Sequence, residues 1–389
     1  MGSGSLSGKR IVLGVTGSIA AVETVRLAHA LRREGAEITA VLTDAATRII
    51  HPDALTYATG HDAITSLSGR VEHVAFCGDG GCADLLLIAP CTANTLCKIA
   101  GGIDDTPVTT FASTALGSGM PVVVVPAMHE SMYRHPGVTD CIRRLSSWNV
   151  RIIPPRIEEG KAKIAGIGEI VLWCAREMPG SPLAGKHVLI TSGPCREPVD
   201  DIRVMTTRST GRMGRELALQ AFRLGAEVTV VHSGLIPCVR NITVETAREM
   251  RDAVHRTSSE RVPDLYISAA AISDFAPEYQ KGKLRSGHTL SLTLHPLPKL
   301  IDEVISRYGI PVIAFKLGED EEERADILLH KGASLVVING PETMGSDTTE
   351  AVISCSSGRE QVKGTKRELA EQIWERVLSL SSSWGWQQG

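Results

Sequence analysis

The chain is punctuated by short, almost uninterrupted apolar runs, each followed by a stretch of helical spacing or a loop. Arg10–Thr16, Glu37–Thr43, Asp84–Pro90 and Pro121–Pro126 are the first four. A strand covered on one face alternates polar with apolar residues, whereas runs like these need cover on both faces. Crossover helices supply that cover, so the pattern points to parallel, doubly wound α/β architecture. The segment REMPGSPLAGKH, Arg176 to His187, interrupts the rhythm with two prolines and two glycines. Beyond it the pattern restarts at His187–Ser192, Glu227–His232, Asp264–Ala269, Pro311–Phe315 and Ser334–Asn339. Two Rossmann-like domains are therefore expected, over residues 9–178 and 184–380, and a length of 389 residues agrees. Leu290–Leu294 alternates like an edge or antiparallel strand, and Thr365–Leu380 has helical spacing. The opening MGSGSLSG is expected to be flexible.

Several function classes are disfavoured by composition. A net charge of −3, balanced along the chain, gives no basic field for nucleic acid, and 4% aromatic residues leave few rings for base stacking. The longest uncharged window, Thr106 to Met128, is broken by Gly117, Gly119 and Pro121, so it reads as helix, turn and buried strand rather than a membrane span. No charged segment followed by an apolar stretch marks a signal peptide. Nine cysteines suggest reduced thiols and a cytoplasmic protein, and Cys77 with Cys82 or Cys91 with Cys97 lacks zinc-ribbon spacing. Metal ligands remain unassigned.

The turns carry the chemistry. Gly17 and Ser18 sit where the first strand gives way to a helix, so free amide groups and the helix dipole face whatever binds there. Thr43 occupies the corresponding place after the next strand, on the edge where open parallel sheets hold ligands. Ser209 to Gly214 opens a helix in the second half and is the choice for phosphate oxygens. A tight turn without a ligand is the alternative in each case.

Specific sequence runs accompany these turns. VEHVAFCGDGGCADLLLIAPCTANTLCKIAGGIDD (Val71 to Asp105) and PAMHESMY (Pro126 to Tyr133), with GSIA near the start, resemble the flavin-dependent cysteine decarboxylases, specifically phosphopantothenoylcysteine decarboxylase. The resemblance covers nearly all of residues 9–172 and implies a flavodoxin-like flavoprotein domain. It implies FMN at Gly17, Ser18, Ile19, Thr43, Thr92, Asn94 and Thr95, with His73 as the histidine that takes the thiol proton. In that family the flavin accepts a hydride from the carbon next to sulfur, CO2 leaves, and the hydride returns. Two positions depart from the family pattern. His129 stands where the bacterial family has asparagine and is expected to hold the substrate carboxylate as a third catalytic residue. Arg156 aligns with the clamp cysteine ahead of GKAKI (Gly160 to Ile164), and Cys141 is a conceivable replacement.

The restart VLITSGPCREPVDDIRVMTTRSTGRMGRELA (Val188 to Ala218) resembles the phosphopantothenate-cysteine ligase domain fused behind this decarboxylase in bacteria and archaea. SAAAISDF, GKLRS, LPKLI, AFK and VVINGPETMGSDTTEAVI follow in family order to about Arg376. The resemblance implies a mostly parallel sheet, activation of 4'-phosphopantothenate by CTP with Mg2+, and attack of cysteine on the acyl-cytidylate. Lys283 matches the catalytic lysine. The CTP contacts carry to Ser209, Thr210, Gly211, Ser268, Ala269, Ala270, Asp274, Lys283, Pro298, Lys299, Leu300, Ile301, Phe315 and Lys331. Thr207 stands at a family asparagine and Ile327 at a nucleotide-binding lysine, for which Arg324 could serve. These departures suggest an archaeal-like bifunctional enzyme of coenzyme A biosynthesis. Relatives imply a homo-oligomer, with a trimerising first domain and a dimerising second, and a dodecamer would satisfy both. A second reading keeps the ligase active and makes the first domain a flavin-binding module without turnover. A generic two-domain oxidoreductase ranks last, because neither half has GxGxxG with an acidic residue at ribose distance.

Overall fold

The computed structural model describes residues 4–158, 161–285, 287, 289–318, 322–340, 346 and 348–386. Gly160, Ser286, Pro341 to Gly345 and Asp347, all within runs quoted above, lie outside the described residues. The chain divides into two compact units, Met1–Ser181 and Pro182–Gly389.

In the first unit, β1 (Arg10–Val15), β2 (Glu37–Leu42), β3 (Leu85–Cys91), β4 (Val122–Pro126) and β5 (Arg151–Ile152) form a parallel sheet ordered β2-β1-β3-β4-β5. Alternate side chains of β1 serve opposite faces. Ile11, Leu13 and Val15 enter one core with Leu27 and Leu31, while Val12 joins another with Phe111 and Leu96. This two-sided burial is why the strands read as continuous apolar runs. Helix α1 (Thr24–Arg33) covers one face through Thr24, Leu27, Ala28 and Leu31, at the spacing of one helical stripe. The opening segment is ordered from Gly4 onward, contrary to expectation. Leu6 is fully buried, its amide donates to the Glu34 carbonyl at 2.9 Å, and the Ser5 hydroxyl donates to the Glu34 carboxylate at 2.8 Å. One apolar side chain with a core to enter is enough to pin a glycine- and serine-rich stretch.

The second unit carries an eight-stranded sheet. Its strands are β6 (His187–Pro194), β7 (Glu227–His232), β8 (Arg240–Thr243), β9 (Leu265–Ala271), β10 (Val312–Leu317), β11 (Leu335–Asn339), β12 (Thr348–Cys355) and β13 (Gly358–Thr365). Their order is β8-β7-β6-β9-β10-β11-β12-β13; the first six are parallel, and β12 and β13 add antiparallel. The Leu290–Leu294 expectation is corrected. Only Leu294–Pro296 is a strand, paired antiparallel with Phe275–Pro277 in a two-stranded ribbon, and Leu290 and Leu292 are exposed. So small a ribbon offers no core face for alternating leucines to enter.

The last helix of this unit, Lys366–Leu380, starts with a reciprocal cap in which Thr365 and Glu368 exchange side-chain and backbone hydrogen bonds. Its Trp374 is fully buried, and the indole N–H donates to the Leu217 carbonyl at 3.0 Å. Among the described residues no helix is long and apolar enough to cross a membrane, and none of the nine cysteines forms a disulfide.

Candidate active sites

In the first unit, side chains at three strand ends converge. The Thr16 hydroxyl, just past β1, donates to the Pro90 carbonyl at 2.8 Å and accepts the Thr92 amide at 2.9 Å, binding β1 to β3. Thr43 caps α2 (Asp44–Thr47) by accepting the Ala46 amide at 3.2 Å, and Thr92 caps α4 (Ala93–Gly101) by accepting the Thr95 amide at 3.3 Å. Gly17 is packed so closely that a Cβ there would lie 2.5 Å from the Ala45 Cβ and 3.1 Å from its carbonyl carbon. Ser18 follows as an N-cap, its hydroxyl accepting the Ala20 amide. These turns present amides and hydroxyls on the carboxyl edge of the sheet, a donor set that fits a phosphate-bearing cofactor.

Beside them lies a cavity of about 810 Å³ lined by Ser18, Ile19, His129, Arg156, Lys163 and a largely apolar remainder. A three-stranded ribbon builds its wall. Met128–His129 pairs antiparallel with Lys161–Lys163, which pairs with Arg156–Glu158; His129 stands in register with Glu158, both opposite Lys161, and Arg156 stands opposite Lys163. The His129 Nδ1 accepts the Ser131 amide at 3.3 Å, which leaves Nε2 to carry the proton of the neutral ring. Arg156 donates to the Ile164 carbonyl at 3.2 Å and lies 3.5 Å from Glu158. The neighbouring Lys163, first by hydrogen bond and then by charge, and after it Arg156 hold the Glu158 carboxyl below the usual range.

Other expected residues fall elsewhere. Asn94 and Cys141 line a second hollow of about 520 Å³ with Cys97, Met132 and His135, and Thr95 is buried in α4. His73, on the helix α3 (Glu72–Cys77), packs edge-on to Phe111 and lines neither hollow. Its Nδ1 is buried without a hydrogen-bond partner among the described residues.

In the second unit, Ser209, Thr210, Gly211, Ala269, Ala270, Asp274 and Phe315 share a hollow of about 560 Å³. Helix α5 (Arg212–Arg223) opens there, and Gly214 abuts β6 so tightly that a Cβ would sit 2.5 Å from the Ser192 Cβ. Sequence reasoning left out much of this wall: Arg208, Arg212, Lys316 and Lys366 join Arg324, and Asn339 ends β11 on the same hollow. The first of these flank the glycine turn or a strand end, a signal available in the sequence.

Ser268, Lys283, Pro298, Lys299, Leu300, Ile301 and Lys331 do not line this hollow. Leu300 is buried at the start of α6 (Leu300–Tyr308), Lys299 lies 3.9 Å from Asp274, and Lys331 pairs with Asp302 at 2.8 Å. Lys283 is exposed on a loop bound to Asp200 and Asp201. Asp200 accepts the amides of Leu284, Ile202 and Arg203 at 3.0, 2.8 and 2.6 Å, and Asp201 accepts that of Gly282 at 3.1 Å. Led by the Leu284 bond, these contacts hold the Asp200 carboxyl well below the usual range.

Residues 2–178 match the family of Flavoprotein domains, and residues 183–380 match the DNA/pantothenate metabolism flavoprotein C-terminal domain. A coenzyme A biosynthesis bifunctional protein CoaBC from Thermococcus kodakarensis is 44% identical over 97% of this chain and 97% of its own. The chain belongs to the coenzyme A biosynthesis bifunctional protein family. Its counterpart in Methanocaldococcus jannaschii is 36% identical over 97% of this chain and 95% of its own. A solved C-terminal domain of a CoaBC protein is 29% identical with a TM-score of 0.44, covering 52% of this chain and 99% of that one. As a family member, the chain is a bifunctional enzyme of coenzyme A biosynthesis, joining a decarboxylase domain that is a flavoprotein to a ligase domain.

Proposed function

We propose that the second unit condenses 4'-phosphopantothenate with cysteine using CTP and Mg2+, through an acyl-cytidylate. The first unit then decarboxylates 4'-phosphopantothenoylcysteine to 4'-phosphopantetheine with FMN. The observation that carries the ligase reading is the concentration of Arg208, Arg212, Lys316, Arg324 and Lys366 around one helix start, in a chain of net charge −3. A triphosphate and a carboxylate brought to one phosphorus need that much positive charge. Phe315 supplies a flat apolar surface for the pyrimidine. Lys283 reaches the reacting groups by movement of the loop that Asp200 and Asp201 hold.

In the first unit, Gly17, Ser18, Thr43, Thr92 and the helix starts they precede would hold FMN, with Ile19, Asn94 and Thr95 beside it. The bound flavin supplies reversible hydride acceptance at the carbon next to sulfur. His129, with its proton on Nε2, offers the substrate carboxylate an N–H donor, the chemistry of the asparagine amide it replaces. Arg156 adds a fixed cation on the same wall. His73 is the ring assigned to remove the thiol proton. His73 and His129 do not line a common hollow in one chain, and Ile19 and Val22 at the cavity are 79% and 52% exposed. Both points support a site completed by a neighbouring copy in a homo-oligomer.

The test uses FMN-loaded protein. CO2 release from phosphopantothenoylcysteine is expected, and intact flavin with no release would leave the first unit a binding module. Pyrophosphate release with CTP but not ATP is expected from the second unit, slowed at least tenfold by Lys283→Gln.

A further inference from the structure

Helix α1 carries basic side chains that its own electrostatics do not explain. Arg32 and Arg33 stand in the last turn, where a cation complements the helix dipole, but Arg26 stands in the first turn, which holds no acidic residue. Arg26, His29 and Arg33 follow one stripe of the helix; side chains three and four apart meet there, and like charges repel. With Arg32 and Ile167 they line a hollow of about 560 Å³ that has no carboxylate in its wall. Little within the unit engages them. Arg26 meets Glu23 at 3.7 Å, Arg32 donates to the Ala58 carbonyl at 2.8 Å, and His29 packs edge-on to Tyr57. The Arg33 guanidinium makes no ion pair or hydrogen bond among the described residues.

This hollow continues the larger cavity of the first unit. Ile167 lines both, and so does the chain around α1, through Val22, Glu23 and Leu27 in the 810 Å³ cavity and through Arg26, His29 and Arg33 in the basic hollow. The larger cavity is mostly apolar apart from a few groups such as His129 and Arg156. A ligand spanning the two spaces needs an acidic group, an uncharged arm and a second anionic group beyond it. 4'-Phosphopantothenoylcysteine has that form, and only its carboxylate has so far been given a partner. About eleven bonds separate its phosphorus from the carbon bearing that carboxylate, about 13 Å when extended. Along α1, Arg33 lies six residues beyond Leu27 and ten beyond Glu23, about 9–15 Å at the rise of an α-helix. The arm is therefore long enough to bring the phosphate to the arginines while the carboxylate stays in the larger cavity.

We propose that Arg26, His29 and Arg33 form the subsite for the 4'-phosphate of the decarboxylase substrate, reached across Ile167 from the larger cavity. Planar guanidinium groups match phosphate oxygens in pairs. The assignment rests on the decarboxylase reading above and adds the residues that tell a phosphorylated substrate from an unphosphorylated one.

The experiment uses full-length, FMN-loaded protein and compares CO2 release from phosphopantothenoylcysteine with release from pantothenoylcysteine, which lacks the phosphate. The parent should favour the phosphorylated substrate about tenfold or more in kcat/KM. In the double variant Arg26→Gln, Arg33→Gln that preference should fall to within about threefold, through a higher KM for the phosphorylated substrate. Arg33→Lys, which keeps the charge, should retain most of it. Arginines that only support the fold, or that seat a second copy of the chain, would on removal slow both substrates alike and leave their ratio at the parental value. That outcome overturns the assignment, as does a parent that turns over both substrates without preference. Should the double variant fail to fold, Arg33→Gln alone, at an exposed position, gives the same ratio. A parent that keeps its flavin and releases CO2 from neither substrate refutes the decarboxylase reading itself, and the subsite with it.

Discussion

Gly17→Ala tests the flavin site where it is most tightly built. The new Cβ would lie 2.5 Å from the Ala45 Cβ and 3.1 to 3.2 Å from the Ala45 carbonyl group. Ordinary contact needs close to 4 Å, so the turn and the start of α2 must separate by roughly 1 Å or more. That movement strains two bonds, the Thr43 amide to the Val15 carbonyl at 3.1 Å and the Thr43 cap on Ala46 at 3.2 Å. Overpacking of this kind costs about 1–3 kcal/mol. At about 2–4 °C per kcal/mol for a unit of this size, the melting temperature should fall by about 2–12 °C. Flavin retention is the sharper readout, since the amides of the phosphate turn move with the backbone. Visible flavin absorbance relative to protein absorbance should drop after gel filtration, with affinity weakened about tenfold or more. Ala45→Gly in the same chain removes the closest contact and should restore part of both properties, a coupling that a double-mutant cycle measures. A G17A protein with parental flavin content and melting temperature would refute the reasoning, as would a double mutant no better than the single one.

Asp200→Asn should slow pyrophosphate release about tenfold by loosening the loop that carries Lys283. Because its folded-state carboxyl is held below the usual range, the stabilisation from Asp200 is present above the unfolded value near 3.9 and fades as pH falls through the folded value. Acid unfolding followed by circular dichroism should therefore lose part of its pH dependence in D200N below about pH 4. Trp374→Phe removes the indole bond to the Leu217 carbonyl and shrinks a fully buried side chain, and should lower stability to urea by about 1–3 kcal/mol. His129→Asn is expected to retain CO2 release within about threefold, because the amide offers the substrate carboxylate the same kind of N–H donor.

The interior strands were legible because burial on two faces removes polar residues from Leu85–Cys91 or Val122–Pro126 altogether. The hairpin Thr348–Cys355 with Gly358–Thr365 was not, since β13 buries few of its residues and resembles a loop in composition. Leu290–Leu294 misled for the opposite reason, alternating leucines that no sheet face receives. In the sites, Gly17, Ser18, Thr43 and Ser209 to Gly211 were expected from the chemistry of strand ends and helix starts, and Thr92 from the family resemblance alone. Gly214 shows why glycine recurs there, with Ser192 occupying the space of a side chain. Lys366 had no such local signal, because only the fold of the unit brings the start of its last α-helix to the hollow of Thr207 and Phe315.

The contact between Trp374 and Leu217 joins residues 157 positions apart. Helix α5 buries Leu217, Ala218, Ala221 and Phe222, and part of that cover arrives only with the helix bearing Trp374. At ribosomal rates of about 5–20 residues per second, the apolar face of α5 is left incomplete for on the order of 10–30 s. The first unit waits in the same way, because Ile170 and Cys174 of its late helix Ile167–Arg176 share the core of Leu27 and Leu31. Each unit thus leaves an apolar face open on the nascent chain until its late helix is made, an interval in which chaperone cover matters most.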